Sequence, residues 1–198
     1  MLLTRSHVIV INKLFIHIVC LYLIINLYWQ AFSDNLGADP VEFVIHFTGI
    51  GALNLLLLSL FISPAAQLFK WSFMMQFRRL LGLYSFTYAL AHLLSFLAFE
   101  IQFDWALFSN ELIDRPYITV GLGTFVILLM LAVTSTNRVK RYMKQSWQKL
   151  HNWVYLAAIL AVVHFYMSVK SDISEPLFYI AITGVLLWCR RKKLRKHF

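Results

Sequence analysis

Six apolar stretches, most of them near the length of a membrane-crossing helix and each set off by a polar loop, constrain this chain more than any other feature. They run at about 8–29, 43–62, 80–99, 117–135, 150–169 and 176–190. A helix needs roughly 20 apolar residues to cross a hydrocarbon core about 30 Å thick. The last stretch is short for that task unless its charged end reaches out to the interface. With 60% of residues hydrophobic and 14% charged, the composition lies outside the range of soluble domains. The expected fold class is therefore all-α: a polytopic bundle of six transmembrane helices, forming one domain over residues 1–198. The first stretch reads as a span rather than a cleaved signal, because its apolar run is too long and no small-residue cleavage site follows.

Charge sets the expected orientation. All nine acidic residues fall in alternate loops: Asp34, Asp39 and Glu42; Glu100, Asp104, Glu111 and Asp114; Asp172 and Glu175. The opposite ends carry nearly all the basic residues: Arg5 and Lys13; Lys70, Arg78 and Arg79; Arg138, Lys140, Arg141, Lys144 and Lys149; and the run from Arg190 to Lys196. Only Arg115 and Lys170 break the pattern. The positive-inside rule then places both termini in the cytoplasm. The net charge of +9 reports orientation and attraction to anionic lipid, and nucleic acid is not an expected partner. Cys20 and Cys189 sit in apolar segments at different depths, so neither a disulfide nor a thiolate metal site is expected.

Imidazoles are the chemistry the spans carry. A helix facing only lipid has little reason to hold one, and neutral histidine is a ready ligand for iron. His92 lies in the third span, His151 and His164 in the fifth. Counted from the cytoplasmic ends, His92 and His164 lie at similar depths, about 18 and 22 Å of helix rise. Helices that bring histidines to one depth build the usual bundle site for heme. His46, on the second span, shares that outer half as a possible further ligand or supporting residue. His151 precedes His164 by thirteen positions, about 20 Å of rise, which puts it near the other face. On a straight helix the two rings point about 140° apart, so they serve two offset sites or only one is a ligand. Arg79 stands thirteen residues before His92, where a second histidine would complete a lower pair. His17 is alone on the first span, while His7 and His197 are terminal.

The remaining landmarks are structural. Gly49, Gly51 and Ala52 form a small-residue face on which another helix or a flat ring can pack closely. Ser63-Pro64 is expected to end the second helix, and the segment after it to lie in the interface with Trp71 as anchor. Arg115-Pro116 marks the start of the fourth span. The chain has no Walker loop, dinucleotide fingerprint, zinc spacing or intramembrane carboxylate pair, and the lack of intramembrane acids argues against a proton-coupled transporter.

Taken together, GADPVEFVIHFTG, RRLLGLYSFTYALAHL, ELIDRPYITVG, TSTNRVKRYMKQSWQKLHNWVYL and VHFYMSVK resemble the landmarks of the MsrQ (formerly YedZ) family over almost the whole chain. The resemblance implies a ferric-reductase-like transmembrane protein of the bacterial inner membrane, with one or two b-type hemes and an associated FMN. It implies His92, His151 and His164 as the heme histidines. It also implies a periplasmic molybdenum-containing methionine-sulfoxide reductase as the partner that repairs oxidised envelope proteins. Larger relatives carry two histidines on each of two helices, and Arg79 departs from that pattern. Electrons would come from quinone or a cytoplasmic flavin reductase, and no catalytic residue is expected in this chain. The rival readings are a self-sufficient ferric or quinone reductase, and a non-redox transporter or scaffold.

Overall fold

The computed structural model describes residues 5–169 and 172–191; the basic run from Lys192, His197 and Lys170 lie outside them. All regular structure among the described residues is helical, with no strand. The helices are α1 (Arg5–Phe32), α2 (Pro40–Leu68), α3 (Arg78–Ser95), α4 (Trp105–Asp114), α5 (Pro116–Val133), α6 (Asn137–Met143), α7 (Gln145–His151), α8 (Val154–Ser168) and α9 (Ser174–Cys189). A 3-10 segment, Ser72–Gln76, leads into α3, and a π-helical turn, Phe96–Glu100, follows it. Among the described residues, five spans are long and apolar enough to cross a membrane: α1, α2, α3 with its flanking turns, α5, and α7 with α8. The sixth apolar helix, α9, has 16 residues and falls short of that length.

Local chemistry explains most boundaries. Asp39 caps α2 by accepting from the Glu42 backbone N–H at 2.9 Å, with Pro40 in the first turn, where its missing N–H costs nothing. Pro116 opens α5 for the same reason. The expectation that Ser63-Pro64 ends the second helix is corrected: α2 runs on to Leu68 with Pro64 inside it. Proline's fixed φ suits a helix and removes one hydrogen bond, whereas stopping there would strip several backbone groups of partners in an apolar setting. The chain breaks only after Leu68, where Lys70 takes φ +57° and Trp71 lies exposed against Phe69 and Phe73.

Two loops hold more helix than expected. In the acidic loop, Asp104 accepts from the N–H groups of Ala106 and Leu107 and starts α4. The basic loop holds α6 and α7, divided at Lys144 with φ +49°. The fifth apolar stretch is likewise two helices rather than one. Asn152 and Trp153 form a turn between α7 and α8, with the buried Asn152 side chain taking a hydrogen bond from Gln148 and its carbonyl receiving Tyr155 N–H three residues on. The straight-helix azimuth for His151 and His164 therefore does not apply.

The chain packs as two compact units, Met1–Phe103 and Asp104–Phe198. In the first, α2 and α3 form the principal contact and α1 lies against them. Its interior holds Thr48, Leu56, Leu60 and Ser85, and the buried Ser85 hydroxyl donates to the Ala52 carbonyl at 2.8 Å. Burying a polar hydroxyl without a partner would cost about 1–3 kcal/mol, so this bond ties α3 to α2 at a defined height. Tyr88 donates to the Cys20 carbonyl at 2.8 Å and Tyr28 pairs with Ser95 at 2.7 Å, which does the same for α1. In the second unit α8 packs between α5 and α9. Ala157 and Ala158 are fully buried there, and small side chains let helix backbones approach closely.

Candidate functional site

Each unit builds the same device around one histidine. In the first, His92 on α3 sets its Nδ1 2.9 Å from the backbone carbonyl of Ile45 on α2. A methyl group at Gly49, one turn further along α2, would stand 3.1 Å from both Cε1 and Nδ1 of that ring. In the second, His164 on α8 sets its Nδ1 2.7 Å from the carbonyl of Tyr117 on α5. A methyl group at Gly121, again one turn along, would stand 2.7 Å from Cε1 and 2.8 Å from Nδ1. Both rings thus lie close on the backbone of the neighbouring helix, where an added methyl would crowd the His92 ring and overlap the His164 ring. Both are partly buried.

The carbonyl partner decides the chemistry. A carbonyl accepts and cannot donate, so the proton of each neutral imidazole sits on Nδ1 and the lone pair on Nε2. Metal-ligating histidines characteristically anchor the other ring nitrogen in this way, which fixes the tautomer and the ring direction and raises the donor strength of Nε2. Among the described residues no three His, Cys, Asp or Glu side chains stand together as a metal-ion cage. Each histidine instead offers a single oriented nitrogen, the donor that an axial position of heme iron takes. The residues present fit that group.

His151 is held differently. It ends α7, its Nε2 lies 3.1 Å from the Thr134 hydroxyl, and Trp147 stacks on it with ring centroids 3.9 Å apart. Trp147 also donates to the Thr134 carbonyl at 2.8 Å and lies under the Lys140 ammonium. The Nε2 of His151 faces a hydroxyl, and the ring is fixed by stacking. His46 follows Ile45 directly and is exposed, off the side of α2 that meets His92. Arg79 is exposed in the first turn of α3, and His7 is exposed near the start of α1. His92 lies in the first unit, His151 and His164 in the second.

Sequence reasoning missed Gly121 and the two carbonyls, and gave Gly49 to a small-residue face for a helix or a flat ring without linking it to His92. The signal that finds them is an internal repeat. Ile45, Gly49, Gly51 and His92 recur 72 positions later as Tyr117, Gly121, Gly123 and His164. Each histidine stands 47 positions from its own carbonyl. The 72-residue offset also relates Arg79 to His151. The repeat is not exact: Gly51 meets the Tyr88 ring, whereas Gly123 has nothing within 4 Å of where a methyl would go.

Residues 48–162 match the family described as the ferric reductase like transmembrane component, a range that takes in both glycine seats, His92 and His151 and ends just short of His164. Among curated proteins, the chain is 47% identical over 167 residues to the protein-methionine-sulfoxide reductase heme-binding subunit MsrQ of Xanthomonas axonopodis pv. citri, covering 84% of this chain and 77% of that protein. It is 46% identical over the same length to the MsrQ subunit of Xanthomonas oryzae pv. oryzae. It is 42% identical over 185 residues to that of Klebsiella pneumoniae, covering 93% of each.

Proposed function

This chain belongs to the family of MsrQ heme-binding subunits of protein-methionine-sulfoxide reductases, within the ferric-reductase-like transmembrane proteins, and on that premise we propose that it is a b-type cytochrome of the bacterial inner membrane. It takes electrons from the quinone pool or from a cytoplasmic flavin donor and delivers them to a periplasmic, molybdenum-containing methionine-sulfoxide reductase. Sulfoxide chemistry belongs to that partner, and this chain contributes no catalytic residue. Six spans with both termini in the cytoplasm form one ferric-reductase-like domain in this reading.

The observation that carries it is the matched pair of carbonyl-anchored histidines, His92 on Ile45 and His164 on Tyr117. Heme, when bound, supplies one-electron chemistry at a potential tuned by its axial ligands and by burial. The chain's part is to present two Nε2 donors in a fixed tautomer and to surround them with apolar helix. Gly49 and Gly121 set where each ring lies. His151, with Trp147 and Thr134, serves the donor side, as a ligand of a second heme or as a support for the FMN or a quinone. His46 is an alternative ligand or a supporting residue beside His92.

Heme per chain and the reduced-minus-oxidised spectrum of detergent-purified His92→Ala, His164→Ala and His151→Ala test the assignment. The first two should each lose low-spin heme signal, since each removes one oriented Nε2 donor. His151→Ala should keep that signal and slow electron entry. A normal spectrum in His164→Ala refutes the pair. Loss of all heme in His151→Ala, with the protein correctly inserted, shifts the principal site to His151.

A further inference from the structure

His17 on α1 is an exposed imidazole in the middle of an apolar span, twelve residues or about 18 Å of rise from Arg5. Its Nδ1 lies 2.6 Å from the hydroxyl of Tyr84 on α3, and the rings meet edge to face at 5.4 Å. Tyr84 is itself buried, in the cluster that also holds Cys20, Ala52 and Tyr88. Among the described residues Nε2 has no hydrogen-bond partner. Leaving a polar nitrogen bare in hydrocarbon is costly, so something outside the chain satisfies it.

The surroundings narrow what that is. Leu14, Ile18 and Leu21, the neighbours of His17 on α1, are exposed and apolar. An ordered water needs two to four polar partners, and this place offers one. Lipid headgroups lie at the interface, far from the middle of a span. What fits is a molecule that dissolves in the hydrocarbon and brings its own carbonyl or hydroxyl on a flat apolar ring.

We propose that His17 and Tyr84 bind the headgroup of a membrane quinone, a site that rests on the electron-transfer reading and gives it a place of entry. The dyad suits both redox forms. With the tyrosine hydroxyl donating to Nδ1, Nε2–H faces outward and donates to a quinone carbonyl. With Nδ1–H donating to the tyrosine oxygen, Nε2 accepts from a quinol hydroxyl. The two arrangements are the two neutral tautomers of the ring, with the tyrosine hydroxyl turned to donate to Nδ1 in one and to accept from it in the other.

The test uses full-length, heme-loaded protein in nanodiscs of phosphatidylethanolamine and phosphatidylglycerol. Heme reduction is followed by absorbance after mixing with decyl-ubiquinol or decyl-menaquinol, with dithionite as a donor that needs no site. A photoreactive azidoquinone is crosslinked in parallel and the labelled peptide identified by mass spectrometry. His17→Phe should slow quinol-driven reduction by about tenfold or more, the loss of one hydrogen bond that holds the headgroup. It should also abolish labelling of the α1 peptide. His17→Gln, which keeps a donor and an acceptor, should recover part of both, and Tyr84→Phe should fall between. Heme content and the dithionite-reduced spectrum should match the parent in all three. Unchanged quinol rates and labelling in His17→Phe overturn the site. So does loss of heme in His17→Phe and His17→Gln alike, which makes His17 a cofactor or folding residue. A parent protein without heme defeats the electron-transfer reading instead, and azidoquinone labelling then decides the dyad by itself.

Discussion

Replacing Gly121 by alanine tests whether the helix backbone seats His164, because the structure sets the size of the conflict. The new methyl would lie 2.7 Å from Cε1 and 2.8 Å from Nδ1 of the ring, where about 3.4 Å is needed, so ring or helix must give by roughly 0.7 Å. The edge that clashes is the edge that donates. A retreat from residue 121 lengthens the 2.7 Å bond to the Tyr117 carbonyl towards the limit of hydrogen bonding. Losing it costs about 1–3 kcal/mol, and the better helix propensity of alanine returns about 1 kcal/mol. Net destabilisation is thus no more than about 2 kcal/mol, and the protein should still fold and insert. Ligation should suffer far more. Disturbing the group that orients a metal-binding histidine costs about 10- to 100-fold in affinity. Gly49→Ala, whose methyl would stand 3.1 Å from the His92 ring, asks for only a few tenths of an ångström and should lose less. Gly184→Ala, with open space around it, should bind heme as the parent does. Heme per chain, the low-spin electron paramagnetic resonance signal and the midpoint potential read the effect, with thermal unfolding as the stability control. Full heme and an unchanged signal in Gly121→Ala, or a larger loss in Gly49→Ala, would refute the seat.

A reporter fused after Phe198 should be active only as a cytoplasmic reporter, because the basic tail resists translocation; periplasmic activity would reverse the orientation. The acidic outer loop should form the partner's dock, so charge reversal at Glu100, Glu111 and Asp114 should slow electron delivery to the sulfoxide reductase while leaving the heme spectrum intact. Asp104 should behave differently from its acidic neighbours, since it caps α4: Asp104→Ala should weaken that helix by about 1 kcal/mol, seen as faster amide exchange over Trp105–Asp114, and Asp104→Asn should restore most of it. Hydrogen bonds from the Ser174 side chain and backbone hold the Asp172 carboxyl below its ordinary range. A depressed carboxylate favours the folded state above its unfolded pKa, and the contribution fades as pH falls through the folded value. Ser174→Ala should therefore raise the Asp172 titration midpoint, followed by carboxyl NMR, and an unmoved midpoint would discount the side-chain bond.

Apolar runs, charge alternation and the places of His92, His151 and His164 were legible from the residues because each is a local property. A stretch such as 117–135 must become helix in hydrocarbon whatever its neighbours do, since its own backbone supplies every hydrogen bond it needs. The helix start at Arg115-Pro116 is local for the same reason. Pro64 misled because its usual meaning as a helix end comes from water, where freed backbone groups find other partners. The turn at Asn152 depends on its buried side chain and the bond from Gln148, and nothing in the spacing of the apolar residues announces it. What aims the Nε2 of His92 and of His164 is the atom facing Nδ1, and that atom is a carbonyl 47 positions away on another helix. A backbone carbonyl has no identity in the sequence. Ile45 and Tyr117 share nothing as side chains, so packing alone brought them to the same task, and only the glycines one turn further on left a trace of it in the letters.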